Sequence, residues 1–227
     1  LRGAYEEEFS FTRAFYWSSD SKKIAFIRFD ESNVPEFTMQ IYNDEAYPIN
    51  ETFKYPKVGE KNSDVSAWVY ETARGKAVKI DLGDMTDTYL PRMKWTNDHN
   101  ELCVFKMNRH QNKLQLYKVD IKSYKSSVFY EEANKYYIDI TDDLTFLSDK
   151  KHFIWSSEKE GFNQLYLMNM DGKQSVKLTT GSYDVTTFYG VDEKNKKIYF
   201  QAEEKSPLNK QIFSVDLDGK NLVNLTP

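Results

Sequence analysis

The chain has 227 residues, with 31 Lys and Arg against 35 Asp and Glu and a net charge of −4, enough for one substantial core or two modest ones. Its charges form no basic block or stripe, which argues against nucleic acid or an anionic membrane surface as partner. No apolar run approaches the ~18 residues of a membrane-spanning helix, no signal peptide is visible and the first residue is not Met, so the sequence reads as part of a longer protein.

Tyr5-Glu6-Glu7-Glu8-Phe9 opens the chain. Three consecutive carboxylates between aromatics fit a solvated acidic turn or the first turn of a helix, where they suit the dipole. They also fit a carboxylate pair turned into a cavity to hold a cation, most simply an ammonium group. The first strand-like run, Phe15-Tyr16-Trp17, follows directly.

A turn of the form aromatic-x-x-Asp then recurs, at Trp17-Ser18-Ser19-Asp20, Trp95-Thr96-Asn97-Asp98 and Phe146-Leu147-Ser148-Asp149. Each copy leads through polar residues into an apolar run: Ile24-Ala25-Phe26, Leu102-Cys103-Val104-Phe105 and Phe153-Ile154-Trp155. A fourth copy carries Lys194 at the Asp position, ahead of Ile198-Tyr199-Phe200. Strand, polar turn and antiparallel return strand make a hairpin.

A second hairpin follows in each copy, with turns at Arg74-Gly75-Lys76, Lys122-Ser123, Asp171-Gly172-Lys173 and Asp218-Gly219-Lys220; positions 75, 123, 172 and 219 lie 48, 49 and 47 residues apart. Four copies at a near-constant period, each with four short strands, predict β-propeller blades. The boundaries read as 15–82, 83–132, 133–180 and 181–227, after an acidic segment at 1–14. The period stretches once, in the first blade, by about thirty residues. That inserted arm, 31–62, holds Val34-Pro35, Tyr47-Pro48 and Tyr55-Pro56-Lys57, so its backbone is extended and turn-rich. Its apolar residues suit folding back over the blade or pairing with another chain.

Other residues read as scaffold. Cys103 sits in an apolar strand as a small buried hydrophobe. His99, His110 and His152 are scattered turn or surface residues. The acid pairs Glu131-Glu132, Asp142-Asp143 and Glu203-Glu204 are expected in loops facing water. No Gly-x-Ser-x-Gly elbow, Walker loop, dinucleotide fingerprint or His-Glu-x-x-His helix occurs, so no cofactor or metal is expected.

With blades and acidic opening in place, the chain resembles the N-terminal propeller of the dipeptidyl peptidase IV family, in the prolyl oligopeptidase superfamily of serine peptidases. Tyr5-Glu6-Glu7-Glu8-Phe9, Tyr16-Trp17-Ser18, Arg28-Phe29-Asp30 and Val34-Pro35 carry the resemblance. So does Tyr55-Pro56-Lys57-Val58-Gly59-Glu60-Lys61-Asn62, with Val58 where the family has Ala. Trp155-Ser156-Ser157-Glu158 with Glu160-Gly161-Phe162 extends it.

The resemblance implies an all-β propeller fragment of about four four-stranded antiparallel blades, with a short helical insertion near the N-terminus and an extended ribbon arm in the first blade. It implies a parent serine dipeptidyl aminopeptidase that removes X-Pro or X-Ala dipeptides, its triad on an α/β-hydrolase domain outside this chain, so that this part alone is inactive. By resemblance Glu7 and Glu8 bind the free N-terminal ammonium of a peptide substrate. The arm pairs two copies, and the compartment is periplasmic or extracellular. The family's Phe-Arg pair falls near Ile138-Asp139 and is not matched; Tyr136 or Tyr137 is the substitute for an aromatic wall. The resemblance implies a bacterial source, and the single Cys argues against a disulfide-rich animal ectodomain. A non-catalytic propeller used as a protein-binding platform, or a related tripeptidyl or acyl-peptide hydrolase, are the alternatives.

Overall fold

The computed structural model describes residues 4–227; the first three residues of the 1–14 segment lie outside them. A single π-helical turn, Ala4–Glu8, precedes an otherwise β-structured chain. Six strands come first: β1 (Phe15–Trp17), β2 (Lys23–Asp30), β3 (Glu36–Ile41), β4 (Ile49–Lys54), β5 (Asp64–Glu71) and β6 (Lys76–Lys79). β1, β2, β5 and β6 form one antiparallel sheet in that order, while β3 and β4 pair only with each other. Next come β7 (Thr88–Tyr89), β8 (Met93–Trp95), β9 (Glu101–Asn108), β10 (Lys113–Asp120) and β11 (Lys125–Ala133), a sheet in which β7 and β8 both pair with β9. The strands β12 (Thr145–Phe146), β13 (His152–Ser157), β14 (Gln164–Asn169) and β15 (Gln174–Lys177) make the third sheet. β16 (Val185–Asp192), β17 (Lys197–Ala202), β18 (Gln211–Asp216) and β19 (Val223–Asn224) make the fourth. These are the expected propeller blades, with the expected short helical insertion and ribbon arm.

Internal contacts divide the chain into two compact units, 1–95 with 99–110 and 117–127, and 96–98 with 111–116 and 128–227. In the first, strand alternation sets the packing. Ala25 and Ile27 of β2 and Val65, Ala67 and Val69 of β5 are buried on one face, while Phe26 stacks on Trp68 across the other at 6.3 Å. In the second, Ile154, Leu165, Ile198, Phe200, Phe213 and Val215 are buried in one apolar cluster. Each such side chain contributes ~1.5–3 kcal/mol by leaving water. Cys103 is fully buried in β9, and burial pushes its thiol well above the ordinary range, so it packs as a small apolar residue.

The recurrent Asp of the first hairpins has a local cause, since a short carboxylate can accept the turn's own N–H groups. Asp20 Oδ1 accepts the Ser18 hydroxyl at 2.6 Å and the Lys22 N–H at 3.2 Å. Asp149 Oδ1 accepts the N–H groups of Lys151 and His152 at 2.8 and 3.0 Å. In the copy with Lys194, Asp192 does this work two residues earlier, accepting the Asn195 N–H at 3.0 Å.

The ribbon is a hairpin whose strands match Glu36 to Lys54 through Ile41 to Ile49. Phe37, Phe53 and Tyr55 pack together at its base, with centroids 5.9–6.1 Å apart. Tyr42, Tyr47, Ile49 and Met39 are exposed.

One expectation is corrected. Glu131 and Glu132 are not in a loop but in β11, and Glu132 is buried at 8 % exposure. Period-two alternation puts Tyr130 and Glu132 on one face, and both turn inward.

Candidate functional site

The acidic turn is held by its aromatic ends. Tyr5 and Phe9 are buried, whereas Glu6, Glu7 and Glu8 between them are exposed. The Tyr5 ring meets Phe9, Phe11, Phe29 and Tyr89 edge-on at 4.7–5.6 Å, a geometry that suits the ring quadrupoles. Its phenol oxygen accepts the Leu90 N–H at 3.1 Å, and its carbonyl accepts the Phe11 N–H at 2.9 Å. Burial pushes the Tyr5 phenol far above the ordinary range, against a smaller downward pull from the Leu90 N–H, so it stays a neutral anchor.

Glu7 and Glu8 line an open hollow of about 270 Å³ with Tyr55, Pro56, Lys57, Val58, Asn62, Tyr89 and Arg109. Its far wall is the Tyr-Pro-Lys segment that leaves the ribbon. That segment is closed on itself, because Glu60 Oε2 accepts the Lys57 N–H at 2.7 Å and the Lys57 carbonyl accepts the Glu60 N–H at 3.0 Å. Asn62 Nδ2 donates to the Tyr89 hydroxyl at 2.8 Å. The cations of this lining have other partners: Lys57 Nζ stands 5.1 Å over the Phe37 ring. Arg109 donates to the Glu60 carbonyl at 2.5 Å and pairs with Asp87 at 3.3 Å. Among the described residues, no hydrogen bond or ion pair engages the Glu7 side chain. The turn thus presents the Glu7 carboxylate beside a polar hollow, with Glu8, which has a partner of its own, next to it; a carboxylate so placed can accept from a cation with several donors.

The second unit holds a smaller recess of about 60 Å³, lined in part by Glu132, Tyr137, Ile138, Asp139, Ser157 and Glu158. Glu132 is its buried floor: Oε2 accepts the Tyr130 hydroxyl at 2.8 Å and Trp155 Nε1–H at 3.0 Å, and Oε1 accepts the Ser157 hydroxyl at 2.6 Å. Burial raises the Glu158 carboxyl above its usual range, and the charges of Asp139, Asp184 and Glu132 add to this. Tyr137 lines this recess and Tyr136 is largely exposed. Sequence reasoning missed Glu132; the available signal was its spacing of two from Tyr130 within a strand.

Two of the three histidines lie beside turn aspartates. His152 Nδ1 lies 2.6 Å from Asp149 Oδ2, and His99 Nε2 lies 3.8 Å from Asp20. Among the described residues no group of three or more His, Cys, Asp or Glu is placed to hold a metal ion, and no helix is long and apolar enough to cross a membrane.

Comparison with known proteins agrees with this architecture. The crystal structure of Porphyromonas gingivalis dipeptidyl peptidase 4 superposes with a TM-score of 0.91 at 38% identity, covering 98% of this chain and 32% of that one. Dipeptidyl peptidase 4 of Arthroderma otae is 28% identical over 97% of this chain and 30% of its own length; that of Trichophyton rubrum is 27% identical over the same shares. The chain thus spans about a third of the length of these relatives. The family described as the dipeptidyl peptidase IV (DPP IV) N-terminal region matches residues 4–227, and the chain belongs to it.

Proposed function

We propose that this chain is the substrate-gating propeller part of a serine dipeptidyl aminopeptidase, with Glu7 and Glu8 as anchors for the free N-terminal ammonium of a peptide. The observation that carries it is the pair's setting: a turn seated by the buried Tyr5 and Phe9, facing a hollow whose Lys57 and Arg109 are engaged elsewhere. A peptide α-amine has pKa ~7.7–8.0, so near neutral pH it is mostly an ammonium with three donors. Two adjacent carboxylates offer it several acceptor sites.

Fixing that end of the substrate acts as a ruler. The scissile bond then falls two residues along, after Pro or Ala, in front of a serine nucleophile on a companion α/β-hydrolase domain. An internal stretch of peptide brings no ammonium and leaves the Glu7 carboxylate without a counter-charge, so the register is exopeptidic. Homodimer pairing through the ribbon belongs to the same reading, supported by the exposed Tyr42, Tyr47 and Ile49. A periplasmic or cell-surface location rests on the family resemblance.

The test is Glu7→Ala in the full-length parent, assayed on a Gly-Pro or Ala-Pro substrate. Glu7 is exposed in this chain, and a hydrogen bond to a charged group contributes ~1.5–3 kcal/mol, so kcat/KM should fall by about tenfold or more. An unchanged kcat/KM removes the reading.

A further inference from the structure

The carboxylates of the acidic turn do not set their own stance. The turn runs from Tyr5 to Phe9, and one ring touches both ends: Tyr89 meets Tyr5 at 5.6 Å and Phe9 at 5.3 Å, edge-on in each case. Glu7 lies midway between those two contacts in sequence, so a shift of the Tyr89 ring tilts the turn as a body. Tyr89 is 7 % exposed. Apart from ring packing, what fixes its outer end is the hydrogen bond that its oxygen accepts from Asn62 Nδ2 at 2.8 Å.

Asn62 is itself well placed to hold that ring. It lies two residues after the Lys57–Glu60 turn, whose backbone is clamped by Arg109 through the Glu60 carbonyl, and Arg109 is in turn held by Asp87, two residues before Tyr89. The donor and the ring it steers are therefore fastened to the same short frame. Upstream, the segment is tied to the base of the ribbon, where the Tyr55 N–H donates to the Pro35 carbonyl at 3.0 Å.

We propose that Asn62 is a positioning residue for the ammonium anchor: through Tyr89 it fixes the orientation of Glu7 and Glu8, and it ties that orientation to the base of the ribbon. This rests on the reading of Glu7 and Glu8 given above. Asn62 acts only through the phenol of Tyr89. Binding lost this way is lost equally from the ground and transition states, because the ammonium lies away from the reacting bond. The signature is a raised KM at nearly constant kcat.

The experiment uses the full-length parent with a dipeptide substrate carrying a free N-terminus, and four variants: Asn62→Ala, Tyr89→Phe, their double, and Glu7→Ala. Tyr89→Phe keeps the ring and removes only the acceptor oxygen, so it carries the test if Asn62→Ala fails to fold. Each single change should raise KM by about tenfold with kcat within about twofold, and the double should be no worse than either single, since both remove one shared interaction. If Glu7→Ala raises KM while Asn62→Ala and Tyr89→Phe lower only the melting temperature, the positioning role is overturned and the anchor stands. Additive losses in the double variant also overturn it. If Glu7→Ala leaves KM unchanged, both fall.

Discussion

The hydroxyl of Ser157 donates to Oε1 of Glu132 at 2.6 Å, and this contact lies inside the protein, where both residues are buried. With Trp155 and Tyr130 donating to the other oxygen, the carboxylate organises three donors from two strands. Glu132→Ala leaves all three without their acceptor. Each unsatisfied buried donor costs about 1–3 kcal/mol, so the variant should lose about 3 kcal/mol or more. At ~2–4 °C per kcal/mol for a chain this size, its melting temperature should drop by ~6–12 °C. Glu132→Gln, which keeps an acceptor oxygen, should lose less. A Glu132→Ala melt within about 2 °C of the parent contradicts this account.

Gly172 and Gly83 separate backbone strain from collision. Both have positive φ, +80° and +71°. A Cβ at Gly172 would lie 2.0 Å from the Phe129 carbonyl oxygen, whereas at Gly83 it would meet nothing within 4 Å. Gly83→Ala should cost only the left-handed penalty of ~1–2 kcal/mol. Gly172→Ala should cost at least about twice that, because a main-chain oxygen cannot swing aside as a side chain does. Urea midpoints of the two variants provide the comparison, and equal losses would contradict it.

Why the blades were legible and Glu132 was not follows from the range of the forces involved. The hairpin turns are local: Asp171 and Asp218 accept N–H groups two residues on, at 3.0 Å each, so the cause sits within a few letters of its effect. Even the copy with Lys194 kept its period, because Asp192 could take over the turn. Glu132 depends instead on Trp155 and Ser157, more than twenty residues away, and an acid pair on paper looks like a solvated loop. The acidic turn is intermediate. Its residue types were readable, but its seat on Tyr89 and Leu90 joins positions more than eighty apart, and only folding brings them together.

The turn aspartates also set the response to acid. Asp20 is held below the ordinary carboxylate range, first by the Ser18 hydroxyl. Asp216 is held down first by Asn221 and then by Lys197. For Asp149, burial pushes up, but the His152 side chain and the N–H groups of Lys151 and His152 outweigh it. Each carboxylate therefore binds protons less readily folded than unfolded. Their stabilisation is complete above the unfolded pKa of ~3.9 and is lost as pH falls through the depressed folded values. Urea midpoints should stay level from pH 7 to about 5 and fall steadily toward pH 3. Asp20→Asn should flatten that fall; an equally steep fall would show that Asp20 contributes nothing to it.

Tyr5 allows the anchor's ring and its oxygen to be tested apart. Tyr5→Phe keeps the edge-on packing against Phe9, Phe11, Phe29 and Tyr89 but removes the acceptor of the Leu90 N–H. An orphaned buried N–H costs about 1–3 kcal/mol, so the melting temperature should fall. The rings that seat the turn remain, and Glu7 and Glu8 keep their place. In the full-length parent, KM for a dipeptidyl substrate should therefore change by less than about threefold. Tyr5→Ala removes both supports; it should raise KM well beyond Tyr5→Phe, on top of a larger stability loss of ~3–5 kcal/mol. If Tyr5→Phe raises KM as much as Tyr5→Ala does, the phenol oxygen and not the aromatic cluster is what holds the carboxylates in position.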